Sequence, residues 1–290
     1  MRARAPGKLV VTGAYVVLDG ADALVLAVDR YAEADARVRD PSPSREVRAA
    51  FGDRPAPRVD VRAFYTEGRK LGLGSSAAQL VAALGAEAVA KGPLDDEARR
   101  EILVAATAAH QAAQGGGSGI DVAASVYGGA LSFNVGRAPQ QLPLHPFPFS
   151  VFFSGQSART SDFLARVRAF RGRDAAGYAR HASLITAASE QVLADFAAAK
   201  NLVPAVRAYG RALAAFGQGA DIPIVPEAFA TLSRAADAED GAFVVAGAGG
   251  GDVGIFYGTP SAAFGQEAAR LGFSPLNIGP AKAGVELVES

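Results

Sequence analysis

Three short clusters of glycine constrain the fold of this 290-residue chain more than any other feature. They hold eleven of its 33 glycines and lie at residues 72–74, 115–119 and 247–254. Glycine loses more conformational entropy on folding than any other residue, so it is typical of places where the backbone turns sharply or approaches another group closely. Three such clusters predict several loops that meet around one ligand.

The composition excludes several classes of protein. The 29 basic and 29 acidic side chains give a formal net charge of zero, which argues against a nucleic-acid partner. The absence of cysteine excludes disulfides and thiolate metal sites. No run of eighteen apolar residues predicts a membrane span, and the N-terminal segment lacks a signal-like apolar region. We therefore expect a cytoplasmic globular protein, monomeric or homodimeric, that binds neither nucleic acid nor membrane.

Strands and helices are segregated along the sequence, which predicts an α+β fold rather than a doubly wound sheet. Residues 1–40, 58–65 and 130–135 have the pattern of strands, whereas helical periodicity covers 75–91, 94–114 and 121–127. After a proline-rich connection, the pattern predicts strands and helices again. These are a strand at 149–155, helices at 161–170, 174–198, 202–216, 226–238 and 260–271, a strand–glycine loop–strand unit at 242–258 and a last strand at 283–289.

The strongest local motif is RKLGLGSSAAQL, residues 69–80. Two glycines let the backbone curl before two serines that open an alanine-rich helix, and the free N–H groups of a helix N-terminus bind anions. Serine hydroxyls there can cap the helix, bind phosphate or ligate Mg²⁺. A plain glycine turn with a serine cap stays open. A dinucleotide fingerprint would need a buried strand before it, which TEGRK does not supply, and no Walker A motif occurs.

Further segments carry candidate functional groups. Asp121 follows the second glycine cluster at the start of a helix, where it could cap the helix, orient an attacking group or hold Mg²⁺. His110 is better explained as a helix-face residue than as a ligand. Lys8 and Lys70 stand beside glycine-rich segments in a chain with five lysines and 24 arginines. They are either ordinary surface residues or positions that need a compact ammonium group.

Taken together, these segments resemble the GHMP small-molecule kinases. APGKLVVTGAYVVLD is similar to the first motif of that superfamily, GLGSSAA to its phosphate-binding second motif and GAGGGDVG to its third. Within the superfamily, AHQAAQGGGSGIDVAASVYGG most resembles the corresponding segment of the phosphomevalonate kinases. The resemblance implies an N-terminal nucleotide-binding domain over residues 1–145, an α/β unit like that of a ribosomal protein. It also implies a ferredoxin-like α+β C-terminal GHMP kinase domain over residues 146–290.

The resemblance also implies roles for individual residues, with ATP and Mg²⁺ as cofactors and a phosphorylated small molecule as acceptor. Lys8 and Asp121 would act in catalysis, on either side of the transferred group. The ATP phosphates would be held by Gly72, Leu73, Gly74, Ser75, Ser76, Ala77 and Ala78, and the Ser76 hydroxyl would ligate Mg²⁺. The acceptor would be bound by Lys70, Ser118, Arg159, Thr160, Ser161, Gly249 and Gly250.

Some positions depart from the superfamily pattern. Ala14 stands where an acidic residue is frequent, Val244 where a lysine is common, and Arg159 where a small residue is usual. The leading hypothesis is a phosphomevalonate kinase of the mevalonate (isoprenoid) pathway. The alternatives are a mevalonate kinase, a mevalonate (di)phosphate decarboxylase of the same fold, or a homologue that binds a nucleotide or metabolite without catalysis.

Overall fold

The computed structural model describes residues 1–157 and 160–288. The strands in this part of the chain are β1 (Arg2–Val10), β2 (Ala23–Asp40), β3 (Ala56–Asp60), β4 (Tyr65–Thr66), β5 (Arg69–Lys70), β6 (Ala130–Phe133), β7 (Gln140–Leu142), β8 (Phe149–Phe153), β9 (Ala242–Val245), β10 (Val253–Tyr257), β11 (Ser274–Leu276) and β12 (Glu286–Val288). The α-helices are α1 (Arg45–Phe51), α2 (Ser75–Val89), α3 (Asp96–Gln114), α4 (Ile120–Tyr127), α5 (Thr160–Arg173), α6 (Ala175–Ala197), α7 (Val203–Ala220), α8 (Glu227–Asp237) and α9 (Ala262–Arg270). Short 3₁₀ helices occupy Val16–Asp19 and Arg62–Phe64.

The first sheet is built around the long strand β2. Its order is β12-β1-β2-β6-β7, and β3 also pairs with β2; every one of these pairings is antiparallel. Helix α2 packs on β1 and β2, and α4 packs on β1. Helix α2 buries a nearly continuous alanine- and leucine-rich surface, which explains the helical periodicity of its sequence.

The second sheet has the strand order β11-β8-β10-β9, again antiparallel throughout. Numbered along the chain within this unit, the spatial order is 4-1-3-2, with α5 to α8 after the first strand and α9 before the last. This is the ferredoxin-like arrangement predicted for the C-terminal half. The α+β class is confirmed. None of the described helices has the length and apolar character needed to cross a membrane.

The end of the chain returns to the first sheet, because β12 pairs with β1. Before it does so, the backbone at residues 283–285 passes very close to the end of α4. A Cβ on Gly284 would lie 2.0 Å from the Val126 carbonyl oxygen, and one on Gly128 would lie 2.2 Å from the Ala283 carbonyl carbon. Fully buried Val285 follows. A division of the chain at residue 145 therefore leaves one C-terminal strand with the N-terminal sheet.

Two local predictions need correction. Residues 45–51 form α1, which the sequence did not indicate; the hydroxyl of Ser44 accepts from the Val47 N–H at 3.3 Å and caps it. The strand predicted at 58–65 ends at Asp60. It gives way to a 3₁₀ turn because Phe64 is drawn fully into the core, where a Cβ on Gly7 would lie 2.7 Å from its ring.

The crossing at Gly284 gives a stability prediction. Gly284→Ala should lower the free energy of unfolding by about 1–3 kcal/mol, because the new methyl group overlaps a backbone that cannot move aside without disturbing α4. Gly265→Ala is the matched control: this glycine lies inside α9, and a Cβ there would meet no described atom within 4 Å. That change should stabilise the fold by up to about 1 kcal/mol. Denaturant unfolding of both variants measures the effect, and equal stabilities would contradict the close crossing.

Candidate active site

Lys8 lies where β1 meets the first glycine cluster, residues 72–74. The register of β1 shifts between Pro6 and Gly7, and the Lys8 N–H then donates to the Leu73 carbonyl oxygen at 2.9 Å. A Cβ on Gly7 would lie 2.5 Å from that same oxygen, so the approach requires glycine. The Lys8 side chain is largely buried, with 14% of its surface exposed, and its Nζ lies 3.6 Å from Asp121 Oδ2.

Asp121 owes its position to the first turn of α4. The helix begins after Gly119, which has a left-handed φ of 86°. Buried Ser125, one turn later, donates to the Pro6 carbonyl oxygen at 2.8 Å, which fastens α4 to β1. A carboxylate in the first turn is stabilised by the helix dipole. The hydrogen bond between α4 and β1 therefore fixes the position of Asp121 relative to Lys8.

The loop before α2 presents a helix N-terminus next to Lys8. Gly74 is left-handed, with φ of 80°, and none of the described side chains caps the helix. The first amides of α2 are therefore available to an anion. A Cβ on Gly74 would lie 2.8 Å from Lys8 Cγ, so the lysine stem packs directly on the loop. Lys70 Nζ donates to the Ser76 hydroxyl at 3.1 Å, which brings two of the predicted ligand-binding groups together.

The third glycine cluster, which joins β9 to β10, is hydrogen-bonded to the N-terminal part of the chain. The Gly247 N–H donates to the Val10 carbonyl oxygen at 3.0 Å, and the Tyr15 hydroxyl donates to the Ala248 carbonyl oxygen at 2.5 Å.

Gly249 and Gly250 approach neighbours too closely for any larger residue. A Cβ on the first would lie 2.2 Å from the Ile224 carbonyl oxygen, and one on the second 2.2 Å from the Phe163 ring. In the structure these two glycines have a packing role.

These elements enclose a cleft of about 460 Å³. It is lined by Lys8, Val10, Ala14, Tyr15, Val17, Leu18, His110, Gln114, Gly115, Gly116, Gly117, Ser118, Gly119, Ile120, Asp121, Leu164, Arg168, Gly247 and Ala248. Three of the predicted site residues, Lys8, Ser118 and Asp121, thus lie in one cavity. A smaller cavity of about 40 Å³ shares Lys8 and includes Gly72 and Gly249.

The other predicted residues are not among the described residues that line this cleft. Leu73, Gly74 and the run from Ser75 to Ala78 form the loop and first turn of α2, next to Lys8. Thr160 and Ser161 are the first residues of α5. Arg159 lies outside the described residues. Ala14, at the position where an acidic residue is frequent, donates its N–H to the Tyr209 hydroxyl at 3.1 Å.

Tyr15 and Arg168 line the cleft and Asp252 lines the smaller cavity, although none of the three was predicted as a site residue. Asp252 lines the smaller cavity and directly follows the last glycine of its loop, a signal that could have identified it. Arg168 stands in an arginine-rich helix, where nothing local marks it. His110, taken for a helix-face residue, is 7% exposed and lines the cleft. Its Nε2 is buried and has no hydrogen-bond partner in the described part of the chain.

Burial lowers the pKa of His110 below its ordinary value of 6.5, although the Asp121 carboxylate opposes the shift. At a pH between the folded and unfolded pKa values of His110, the unfolded chain binds more protons than the folded one. The contribution of His110 to the free energy of unfolding is therefore fully present above about pH 6.5 and is lost as the pH falls. We expect His110→Gln to flatten this decrease in the free energy of unfolding, measured by urea denaturation from pH 7.5 to 5.5. His145→Gln, at a partly exposed histidine, should keep the wild-type slope; identical slopes in the two variants would contradict the assignment.

Residues 47–129 match the family model of the GHMP kinases N terminal domain. Phosphomevalonate kinase from Streptomyces sp. (strain CL190) is 27% identical, in an alignment that covers 87% of this chain and 88% of that protein.

Two solved structures extend the similarity over nearly the whole chain. The Lin0012 protein from Listeria innocua superposes with a TM-score of 0.86 at 22% identity, covering 100% of this chain and 99% of that one. Streptococcus pneumoniae phosphomevalonate kinase, in complex with phosphomevalonate and AMPPNP, superposes with a TM-score of 0.77 at 19% identity, covering 97% and 99%. The chain therefore has the GHMP kinase fold, and the model of that family's N-terminal domain matches its residues 47–129.

Proposed function

We propose that this protein is a kinase that transfers the γ-phosphoryl group of ATP to the phosphate of 5-phosphomevalonate, forming 5-diphosphomevalonate and ADP. One observation carries the proposal. Lys8 pairs with Asp121 inside a cleft, and its stem packs on the loop that leads into the uncapped N-terminus of α2. A cation, a carboxylate and free backbone amides thus converge at one place, as transfer between two phosphates requires.

The similarity to phosphomevalonate kinases supports the choice of acceptor. The Streptomyces relative carries that name, and the Streptococcus structure holds phosphomevalonate with an ATP analogue. Among the described residues that line the cleft, the cationic side chains are Lys8 and Arg168, against the carboxylate of Asp121. This excess of positive charge suits an anionic acceptor.

The proposed reaction needs positioning and charge neutralisation rather than covalent participation by the protein. An oxygen of the acceptor phosphate forms a bond to the γ-phosphorus, the bond from that phosphorus to the β–γ bridging oxygen breaks, and ADP leaves with the electron pair. Lys8 would stabilise the charge on the transferred group. The acceptor phosphate is largely ionised near neutral pH, so Asp121 would hold Lys8 in position rather than remove a proton.

The nucleotide phosphates would be bound by the backbone amides at the start of α2, beside Ser76. The Ser76 hydroxyl accepts from Lys70, which we expect to bind the acceptor. Among the described residues, no group of three or more histidine, aspartate or glutamate side chains could enclose a metal ion. Mg²⁺ typically needs only one or two protein oxygens when it arrives with phosphates, so the Ser76 hydroxyl and a cleft carboxylate fit it. When bound, it would neutralise phosphate charge.

The proposal is tested by ADP release with Mg·ATP and, separately, mevalonate, 5-phosphomevalonate and 5-diphosphomevalonate, with phosphorus NMR of the products. We expect turnover with 5-phosphomevalonate alone and a new diphosphate signal. Turnover of mevalonate would instead make the protein a mevalonate kinase, and release of carbon dioxide from 5-diphosphomevalonate would make it a decarboxylase. ATP binding without turnover of any of the three would contradict a kinase acting in this pathway.

Substitutions of Lys8 and Asp121 should both lower kcat. Lys8→Met should lower kcat about 100-fold, because the charge of the transferred group loses its cation. Asp121→Asn should lower kcat by at least about 10-fold, because the amide keeps the shape but loses the charge that holds Lys8. Asp240→Asn, at an exposed turn before β9, is the matched control and should turn over at the wild-type rate. Asp121→Asn activity within twofold of wild type would refute the role of the ion pair.

A further inference from the structure

Helix α5 of the C-terminal half contributes one cationic side chain to the cleft. Leu164 and Arg168 both line the cavity, and as residues four apart they share one face of the helix. Val167 and Phe170 are buried in the core. Arg168 itself is exposed, so its guanidinium is accessible to a ligand that enters the cleft.

Other arginines of α5 are already engaged. Arg166 Nη2 lies 3.6 Å from Asp221 Oδ2, Arg171 donates to Asp19 Oδ1 at 2.9 Å, and Arg173 lies over the Phe170 ring. Arg168, by contrast, makes no hydrogen bond or ion pair within the described part of the chain.

The position of Arg168 is fixed by contacts next to it on the helix. Asp19, which accepts from Arg171, also accepts from the Tyr178 hydroxyl, and it closes the 3₁₀ turn whose Val17 and Leu18 line the cleft. The helix is therefore anchored to the cleft wall about one turn beyond Arg168. The anchored helix thus carries an unpaired guanidinium at the cleft, and the fork of N–H groups can bind a planar oxyanion through two hydrogen bonds.

We propose that Arg168 binds the carboxylate of the acceptor and so selects for acidic acceptors. This inference rests on the proposed function for the identity of the acceptor. With the acceptor phosphate at Lys8, the apolar side chains of Tyr15, Leu18 and Leu164 would lie along its carbon chain. The carboxylate at the other end of the molecule would then meet Arg168, the second cation among the described cleft residues.

The test measures binding as well as turnover. Calorimetric titration of 5-phosphomevalonate, mevalonate and the C1 carboxamide of 5-phosphomevalonate into wild type, Arg168→Gln and Arg168→Lys gives Kd values that do not depend on catalysis. We expect Arg168→Gln to raise Kd and KM for the carboxylates about 10- to 100-fold, with the KM for ATP and kcat within about twofold. Arg168→Lys should give Kd and KM values between those of wild type and Arg168→Gln, because lysine keeps the charge but lacks the paired N–H donors of a guanidinium. The carboxamide should bind wild type and both variants alike.

Arg166→Gln is the control, since it removes the same charge two residues away from the cleft lining. If 5-phosphomevalonate is turned over but its KM is unchanged in Arg168→Gln, the inference is wrong and the proposed function stands. If carboxylate binding depends on Arg168 while no phosphoryl transfer occurs, the inference stands and the proposed function is wrong. If none of the acceptors binds, or the carboxamide loses as much affinity as the acid, the inference is overturned.

Discussion

The structure of the site depends on the place of one residue, Lys8. Its backbone N–H is bonded to Leu73, its stem packs on Gly74, and its ammonium faces Asp121. Strand β1, the loop before α2 and α4 are therefore positioned against one another through this residue. The Lys8–Asp121 pair is long, at 3.6 Å, and its carboxylate is partly exposed.

The glycines make this convergence sterically possible. Gly7 and Gly74 let β1 and the α2 loop come into contact, and Gly249 lets the third loop settle on Ile224. Their common role is to bring backbone close to backbone or to a side chain around a cavity. The cavity that results combines Lys8 from β1 and Arg168 from α5 with apolar side chains. This combination suits a short carbon chain with an anion at each end.

Much of the fold follows from local sequence, whereas the site follows from it only in part. The alanine-rich periodicity from Ser75 and the strand–glycine–strand unit around Gly249 are local, and both were predicted. The pairing of β12 with β1 joins opposite ends of the chain, so no window of sequence contains it. Arg168 could not be predicted for the same reason. It differs from the other arginines of α5 only in its tertiary contacts, because those arginines have partners in the folded chain and Arg168 lines the cleft. Side chains fixed by motifs can be read from sequence, but those distinguished by their tertiary partners cannot.

The most direct measurement of whether both phosphates meet at Lys8 is a crystal structure with 5-phosphomevalonate and a non-hydrolysable ATP analogue. We predict that the acceptor phosphate contacts Lys8 Nζ and that the nucleotide phosphates contact the first amides of α2. Density for the acceptor outside the cleft, or nucleotide phosphates away from the start of α2, would contradict this arrangement.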